Sequence, residues 1–450
     1  MYLFSRLYLL ALGLSLALTP AGATAQPIEA LGEDFQVNDG TNGRQDGGAV
    51  GVAANGDFIV AWRTEDPAGD DTDEDSVVAR RFSADGTPIG ETFQVNSFTP
   101  HSQYAPSVRM EPTGEFVVAW RYFYDAMMQP NSNLLVVQRY DAGGAPLGGS
   151  FSIAGAQSYG GVSGGAIDGD GPNGFVGVMG DLSVFGRRVA PDGTTSDTQT
   201  FSEINPGLLN FPEVSSNSAG NFVVVWESDV SPSGDDTSGR SIQARAFDVD
   251  GSPISGQFQV NQLTLGEQER PDVELLDNGR ILVTWIDRGA DEGSGSQIQG
   301  RLLDFGGGIG SDEFQINSST APDQPRARVG SVHDEAFVVV WNSPASVGDD
   351  TDLDSIHGRL IHPTRGLLGN EFQVNAYTTG GQNFPQVDGN GDGFIVTWRS
   401  EASPGNDTSL SSVQARRFRF GGIFADGFES GDLSAWAPGE LHRGLESHQR

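Results

Sequence analysis

The feature that most constrains this chain is a short stretch that keeps returning. Asn221-Phe222-Val223-Val224-Val225-Trp226 is an apolar run of strand length, rich in β-branched residues and closed by tryptophan. Close copies occupy 57–62, 115–120, 280–285, 336–341 and 393–398, so six of the seven tryptophans stand at one repeat position. Runs of this kind, short and without polar alternation, read as strands buried on both faces. A sequence that places its tryptophans this way is built as an array.

A second motif, Phe-Gln-Val-Asn or a near copy, begins at Phe35, Phe93, Phe258, Phe314 and Phe372, with weaker versions at Phe151 and Phe201. Successive copies lie 50 to 58 residues apart. Between them the order is constant. A short strand around Pro-x-Val comes first, as at Pro106-Ser107-Val108, Pro212-Glu213-Val214, Pro271-Asp272-Val273 and Pro385-Gln386-Val387. A tight turn such as Asn55-Gly56 or Asn278-Gly279 then leads into the tryptophan strand. A polar loop, a third strand, an Asp-Gly turn and the Phe-Gln-Val-Asn strand complete the unit. Four antiparallel strands in this length predict a propeller blade; immunoglobulin-type sandwiches need about seven strands and 100 residues each. The array opens on an orphan fourth strand at 35–38 and ends on three strands (385–387, 394–398, 412–418) with no fourth. The expected fold is therefore an all-β, seven-bladed β-propeller with four antiparallel strands per blade. Its N-terminal strand completes the last blade and removes the free edges.

These repeats resemble those of secreted bacterial β-propeller repeat proteins, over residues 35 to about 420. That resemblance is architectural and implies no activity. Blade 3 departs from it, with Met179 where tryptophan is expected and glycine pairs at Gly160-Gly161 and Gly164-Gly165. Ahead of the ring, Arg6, the apolar run 7–18 and Ala23-Thr24-Ala25 predict a signal peptide over 1–25. The run is shorter than the roughly 20 residues that span a bilayer. The propeller is expected over 26–420 and a tail over 421–450. Within that tail, 423–436 resembles a short C-terminal motif of exported gammaproteobacterial proteins, and 437–450 reads as unstructured. The expected location is secreted or cell-surface, in a bacterium. With no cysteine, disulfides and thiolate metal sites are excluded. The balance of 26 basic against 60 acidic residues, a net charge of −34, argues against nucleic acid and anionic lipid as partners.

Much of the acid falls in the loops between second and third strands. Asp71, Asp73 and Asp75 alternate in one, and Asp350, Asp352 and Asp354 in another, so each set could converge on calcium. The competing reading is a solvated acidic loop with Asp-Thr turn chemistry, since neither loop has the glycine and closing glutamate of an EF-hand. Asp388, Asn390 and Asp392 resemble the calcium loop of FG-GAP propeller repeats, although Val396 stands where a ninth-position ligand is expected. Calcium is the one cofactor these loops imply. Blade 2 replaces the acid with Tyr122, Phe123 and Tyr124, followed by Met127 and Met128. Such a loop suits a sugar ring or a protein partner, or folds down to plug the channel.

Third strands repeat an arginine at Arg80, Arg187, Arg245, Arg301, Arg359 and Arg416, with Gln138 in its place in blade 2. A ring of guanidinia could grip an anion. A lock between blades is the better reading, because a ligand contact has no need to recur and a structural one does. Catalytic residues stay unassigned: the six histidines fall at unrelated repeat positions, and no nucleophile or phosphate-loop motif occurs. The expected function is a secreted, monomeric, non-enzymatic module that binds a carbohydrate or protein ligand through its acidic long-loop face. The alternatives are a carbohydrate-active hydrolase or lyase using carboxylates at the channel mouth, and a purely structural surface protein.

Overall fold

Each tryptophan strand lies second in an antiparallel sheet, flanked by the Pro-x-Val strand and the third strand. In blade 1 these are Gln45–Val52, Phe58–Thr64 and Ser76–Phe82, with Pro88–Gln94 outermost. Seven such sheets make the ring. The computed structural model describes residues 28–65, 71, 75–124, 132–157, 165–169, 174–203, 207–229, 231, 236, 239–289, 295–306, 308–318, 326–332, 336–344, 348–350, 352–407 and 410–421. The expected signal peptide, Asp73 and the tail from 422 lie outside them. Blade 3 keeps the pattern despite its sequence, with Phe175–Gly180 placing Met179 fully buried at the tryptophan position.

The ring closes as expected. Phe35 and Gln36 pair with Ala415 and Gln414 of the last blade's third strand, Ser412–Phe420. Val37 N–H extends this by donating to the Val413 carbonyl at 2.9 Å. An earlier strand, Ile28–Ala30, pairs with the far end of the same strand and lengthens the closure. Between every two neighbouring blades lies one hydrophobic cluster built from the facing sides of both sheets. The seam of blades 7 and 1, for example, joins Ile395 and Val413 to Val50, Phe58 and Trp62. Such seams bury both faces of every sheet, which is why the second strands are apolar throughout.

Two polar devices repeat at these seams. The third-strand arginines are the locks expected of them: Arg80, Arg245, Arg301, Arg359 and Arg416 each donate from Nη1 to the carbonyl of Val37, Phe201, Val260, Ile316 and Val374, respectively, at 2.5–3.2 Å. Each of those carbonyls belongs to the residue directly after the fourth strand of the preceding blade. The second device uses the asparagine of Phe-Gln-Val-Asn. Asn96, Asn261, Asn375 and Asn38 donate to buried loop carboxylates of Asp71, Asp236, Asp350 and Asp407 at 2.7–3.0 Å. The same asparagines accept a backbone N–H from the third strand, as from Val77 and Ile356. One side chain thus ties loop, third strand and fourth strand together.

Candidate functional site

The first strand of each blade is innermost, and together these strands wall a central channel with a cavity of about 1420 Å³. Five of them carry a register shift on entry from the long-loop face, between Asp46 and Ala49, Tyr104 and Ser107, Asn210 and Glu213, Glu269 and Asp272, and Asn383 and Gln386. A bulge re-aims the side chains around it and bends the strand. The residue inside the shift adopts a positive φ: Gly47 (71°), Ala105 (50°), Phe211 (45°), Arg270 (52°) and Phe384 (56°). Glycine suits that backbone. A large side chain there costs about 1 kcal/mol or more.

At this mouth the channel wall is arginine and aromatic. Arg63, Arg121 and Arg399 directly follow the tryptophans of their strands and pair across to Asp46, Tyr104 and Asn383. Arg121 lies over the Tyr104 ring at 5.1 Å and donates to Asn133 at 3.0 Å. Arg63 pairs with Asp75 at 2.8 Å, and Arg399 with Glu401 at 2.9 Å. Phe384 is covered by two guanidinia, of Arg326 at 4.6 Å and of Arg399 at 5.0 Å. Phe211 is covered by Arg270 at 5.6 Å. Arg270 and Arg326 come from neighbouring blades; among the described residues neither makes an ion pair within 4.0 Å, although Glu269 and Glu227 lie near enough to favour the charge of Arg270. Arg326 is exposed at the mouth, where partial desolvation, then the repulsion of Arg270 and Arg328, lowers its guanidinium. Burial is also the main cause lowering Arg270.

Deeper in, carboxylates outnumber cations. Arg328 bridges Glu213 at 2.7 Å and Asp272 at 3.4 Å. Burial pushes both carboxyls upward and Arg328 opposes it, while the same pair keeps Arg328 firmly charged against its own desolvation. Two residues further along the strands stand Arg109, Asp168, Glu274 and Asp388. Arg109 pairs with Asp168 at 3.5 Å. Burial and the neighbouring Asp168 push Glu274 up to about 8, and burial against the pull of Arg109 leaves Asp388 at about 6. Their side chains line the open channel yet are ringed by protein, which is how a carboxyl with some open area is still strongly desolvated. Asp168, Asp272 and Asp388 also accept a backbone N–H of the next blade's first strand, from Ser216, Val329 and Val52. They are therefore part of the ring's inner hoop.

The sequence-named residues fall elsewhere. Asp71 and Asp350 are buried acceptors for Asn96 and Asn375. Asp75 pairs with Arg63, Asp352 accepts from Gly380 N, and Asp354 accepts from Asn342. Each carboxylate has its own separate donor, and among the described residues no group of three acids or histidines is placed to hold a metal ion. The loop around Asp388 is an inter-blade joint: Asn390 donates to the Ala53 carbonyl and accepts from Asp392 N. Tyr122 turns away from the channel and packs edge-on against Phe98 at 5.3 Å. Phe123 is half-buried beside it, Tyr124 ends the strand, and the Met127-Met128 tip lies outside the described residues. The mouth residues went unnamed, although two signals marked them: a charged or aromatic residue just before Pro-x-Val, and arginine just after tryptophan.

No family model and no curated protein matches the chain. Among solved structures, a protein of unknown function from Dyadobacter fermentans superposes with a TM-score of 0.51 at 12% identity, covering 88% of this chain and 99% of that one. The polysaccharide lyase Uly1 gives 0.51 at 10% identity, covering 86% and 92%. An α-L-arabinanase from Penicillium chrysogenum gives 0.47 at 11%, covering 85% and 97%. The first two likenesses bear on the fold alone.

Proposed function

We propose that the protein is a binding module that takes its ligand into the long-loop end of the channel. The observation that carries this is the strained bulge. Blade 1 fills it with Gly47, whereas blades 4, 5 and 7 hold Phe211, Arg270 and Phe384 at positive φ. Ring closure alone is served by glycine, so side chains kept there at a backbone cost are kept for what they face. Rigid rings with polar groups at their edges suit a saccharide. The described loop acids Asp71, Asp236, Asp350 and Asp407, by contrast, are engaged in holding the scaffold. With its leader over 1–25, the protein is read as exported; N-terminal sequencing of the mature form would place cleavage near Ala25.

Calorimetry with a panel of oligosaccharides tests the reading. Binding is expected to be lost in Phe384→Gly while the melting temperature holds or rises. A second reading, a hydrolase or lyase, draws on the carboxyls Glu213 and Glu274 below the mouth, both pushed upward by burial. Chain cleavage of any panel member, abolished by Glu213→Gln or Glu274→Gln, would replace the binding module with that enzyme.

A further inference from the structure

Within that reading, on which this inference rests, we infer that the ligand carries a free amine, as an amino sugar does, and that its ammonium group seats on the unpaired oxygen of Glu213 inside the channel. The level of the channel wall at which this happens is defined by register. In each blade the residue just before the tryptophan position pairs with one first-strand residue, and those first-strand residues all line the cavity. Blades 1 to 3 place Ala49, Ser107 and Ala166 there, opposite Ala61, Ala119 and Val178. Blades 4 to 6 place Glu213, Asp272 and Arg328, opposite Val225, Thr284 and Val340. One side of this level is therefore clear of long side chains, and the other is charged. Arg328 reaches Asp272 of the neighbouring blade at 3.4 Å and Glu213 of the blade beyond at 2.7 Å. A pair between blades 4 and 6 has to pass in front of blade 5, so it stands in the lumen rather than in a seam.

One guanidinium here serves two carboxylates. Asp272 is held on both oxygens, by Arg328 and by the Val329 N–H. Glu213 is held on Oε1 alone; among the described residues its Oε2 has no donor, and that atom opens on the cavity. Burial pushes both carboxyls toward the protonated form. An ammonium takes the place of that proton: it brings the missing positive charge and three donors on a compact head. A hydroxyl would satisfy the oxygen and leave the charge unmet. The clear side of the level begins at Ala166 in the blade next to Glu213, which gives the ring bearing the amine its room. Phe211 stands two residues nearer the mouth on the same strand and lines the same cavity, so it supplies an apolar face on the way in. The net charge of −34 draws a cationic chain toward the mouth and repels an anionic one.

The test is calorimetry on the full mature chain near pH 6 in 300 mM sodium chloride, which largely screens attraction to the surface acids. Three β-1,4-linked oligomers of equal length are compared, of glucosamine, of N-acetylglucosamine and of glucose. The glucosamine oligomer is expected to bind about tenfold or more tightly than the other two, the range of one charged hydrogen bond. Glu213→Gln keeps the shape and removes the charge, so it is expected to erase this preference. A preference that survives in that variant would place the amine elsewhere and overturn the inference. Should the variant melt too low to use, Ser107→Leu leaves the ion-paired side intact and fills the clear one. It is expected to weaken the glucosamine oligomer about tenfold, and unchanged binding would equally overturn the inference. Equal binding of all three oligomers by the wild type, lost in Phe384→Gly, would overturn the amine while keeping a ligand at the mouth. Binding of none would remove both readings, and a lysine peptide that binds more tightly than the glucosamine oligomer would overturn the saccharide.

Discussion

Arg301 shows what a repeated residue does in this ring. Its guanidinium is buried and donates to the Val260 carbonyl of the preceding blade at 2.5 Å and to the Ser311 carbonyl of its own at 3.2 Å. Arg301→Ala leaves both carbonyls short of a donor, and a cost of about 2–3 kcal/mol in chemical denaturation is expected. Arg301→Lys keeps the charge but loses the fork, so it should fall between wild type and alanine. This role could be read in advance because the arginine recurs with the repeat. Arg270 and Phe384 were marked only by standing just before Pro-x-Val, and their side chains follow no period: the equivalent positions elsewhere hold Gly47 and Ala105. A single sequence separates structural from functional residues by periodicity, and a site made of exceptions is visible only once the fold has aligned them.

At the scale of strands and loops, the blade order, the strand count and the closing strand were all legible, because each is set by hydrophobic runs and turn residues that act locally. The loop acids were not. Asp71 looks solvated in sequence because its partner, Asn96, is 25 residues away on another strand. Asp71→Asn keeps an oxygen facing the Asn96 amide and should be close to neutral. Asp71→Ala removes the acceptor and should cost about 1 kcal/mol in a denaturant melt. Since Asp71, Asp75, Asp350, Asp352 and Asp354 already have donors, millimolar calcium at fixed ionic strength is expected to leave the melting temperature where a chelator puts it. A rise of several degrees, reduced by Asp73→Asn, would favour calcium at these loops instead. The closing strand gives the sharper prediction. Deletion through Asn38 removes the pairing of Phe35 and Gln36 with the last blade, the Val37 bond and the Asn38–Asp407 contact. It opens a ring whose seams are otherwise all filled and exposes two strand edges. The expected result is a large fall in melting temperature and aggregation, against little change on deleting 437–450. Equal melting temperatures would mean that the ring does not depend on this strand.

At the scale of the whole molecule, the inner hoop sets how stability depends on pH. Glu274 in the hoop is pushed up to about 8, and Glu227, the buried residue that follows Trp226 on its strand, up to about 7, against about 4.5 in the unfolded chain. Asp388 adds to this at about 6. A carboxyl with a raised folded value binds its proton more tightly when native, so its contribution is greatest below the unfolded value. That contribution is lost as pH climbs toward the folded one. Repulsion among the surface acids of a −34 chain acts in the same direction. Glu371 runs the other way: bonds from Ser318 and His357 outweigh its burial and hold it below the usual range, so its share disappears only in strong acid. Stability is therefore expected to peak in mild acid, near pH 5, and to fall steadily to pH 8.5 in thermal melts at constant ionic strength. Glu274→Gln separates the hoop from the surface, because the amide is uncharged at every pH while surface repulsion is almost unchanged. Its melting temperature should match wild type near pH 5 and exceed it at pH 8.5, giving a shallower slope. Parallel slopes for the two proteins would assign the whole pH dependence to the surface and leave Glu274 ionised in the native channel.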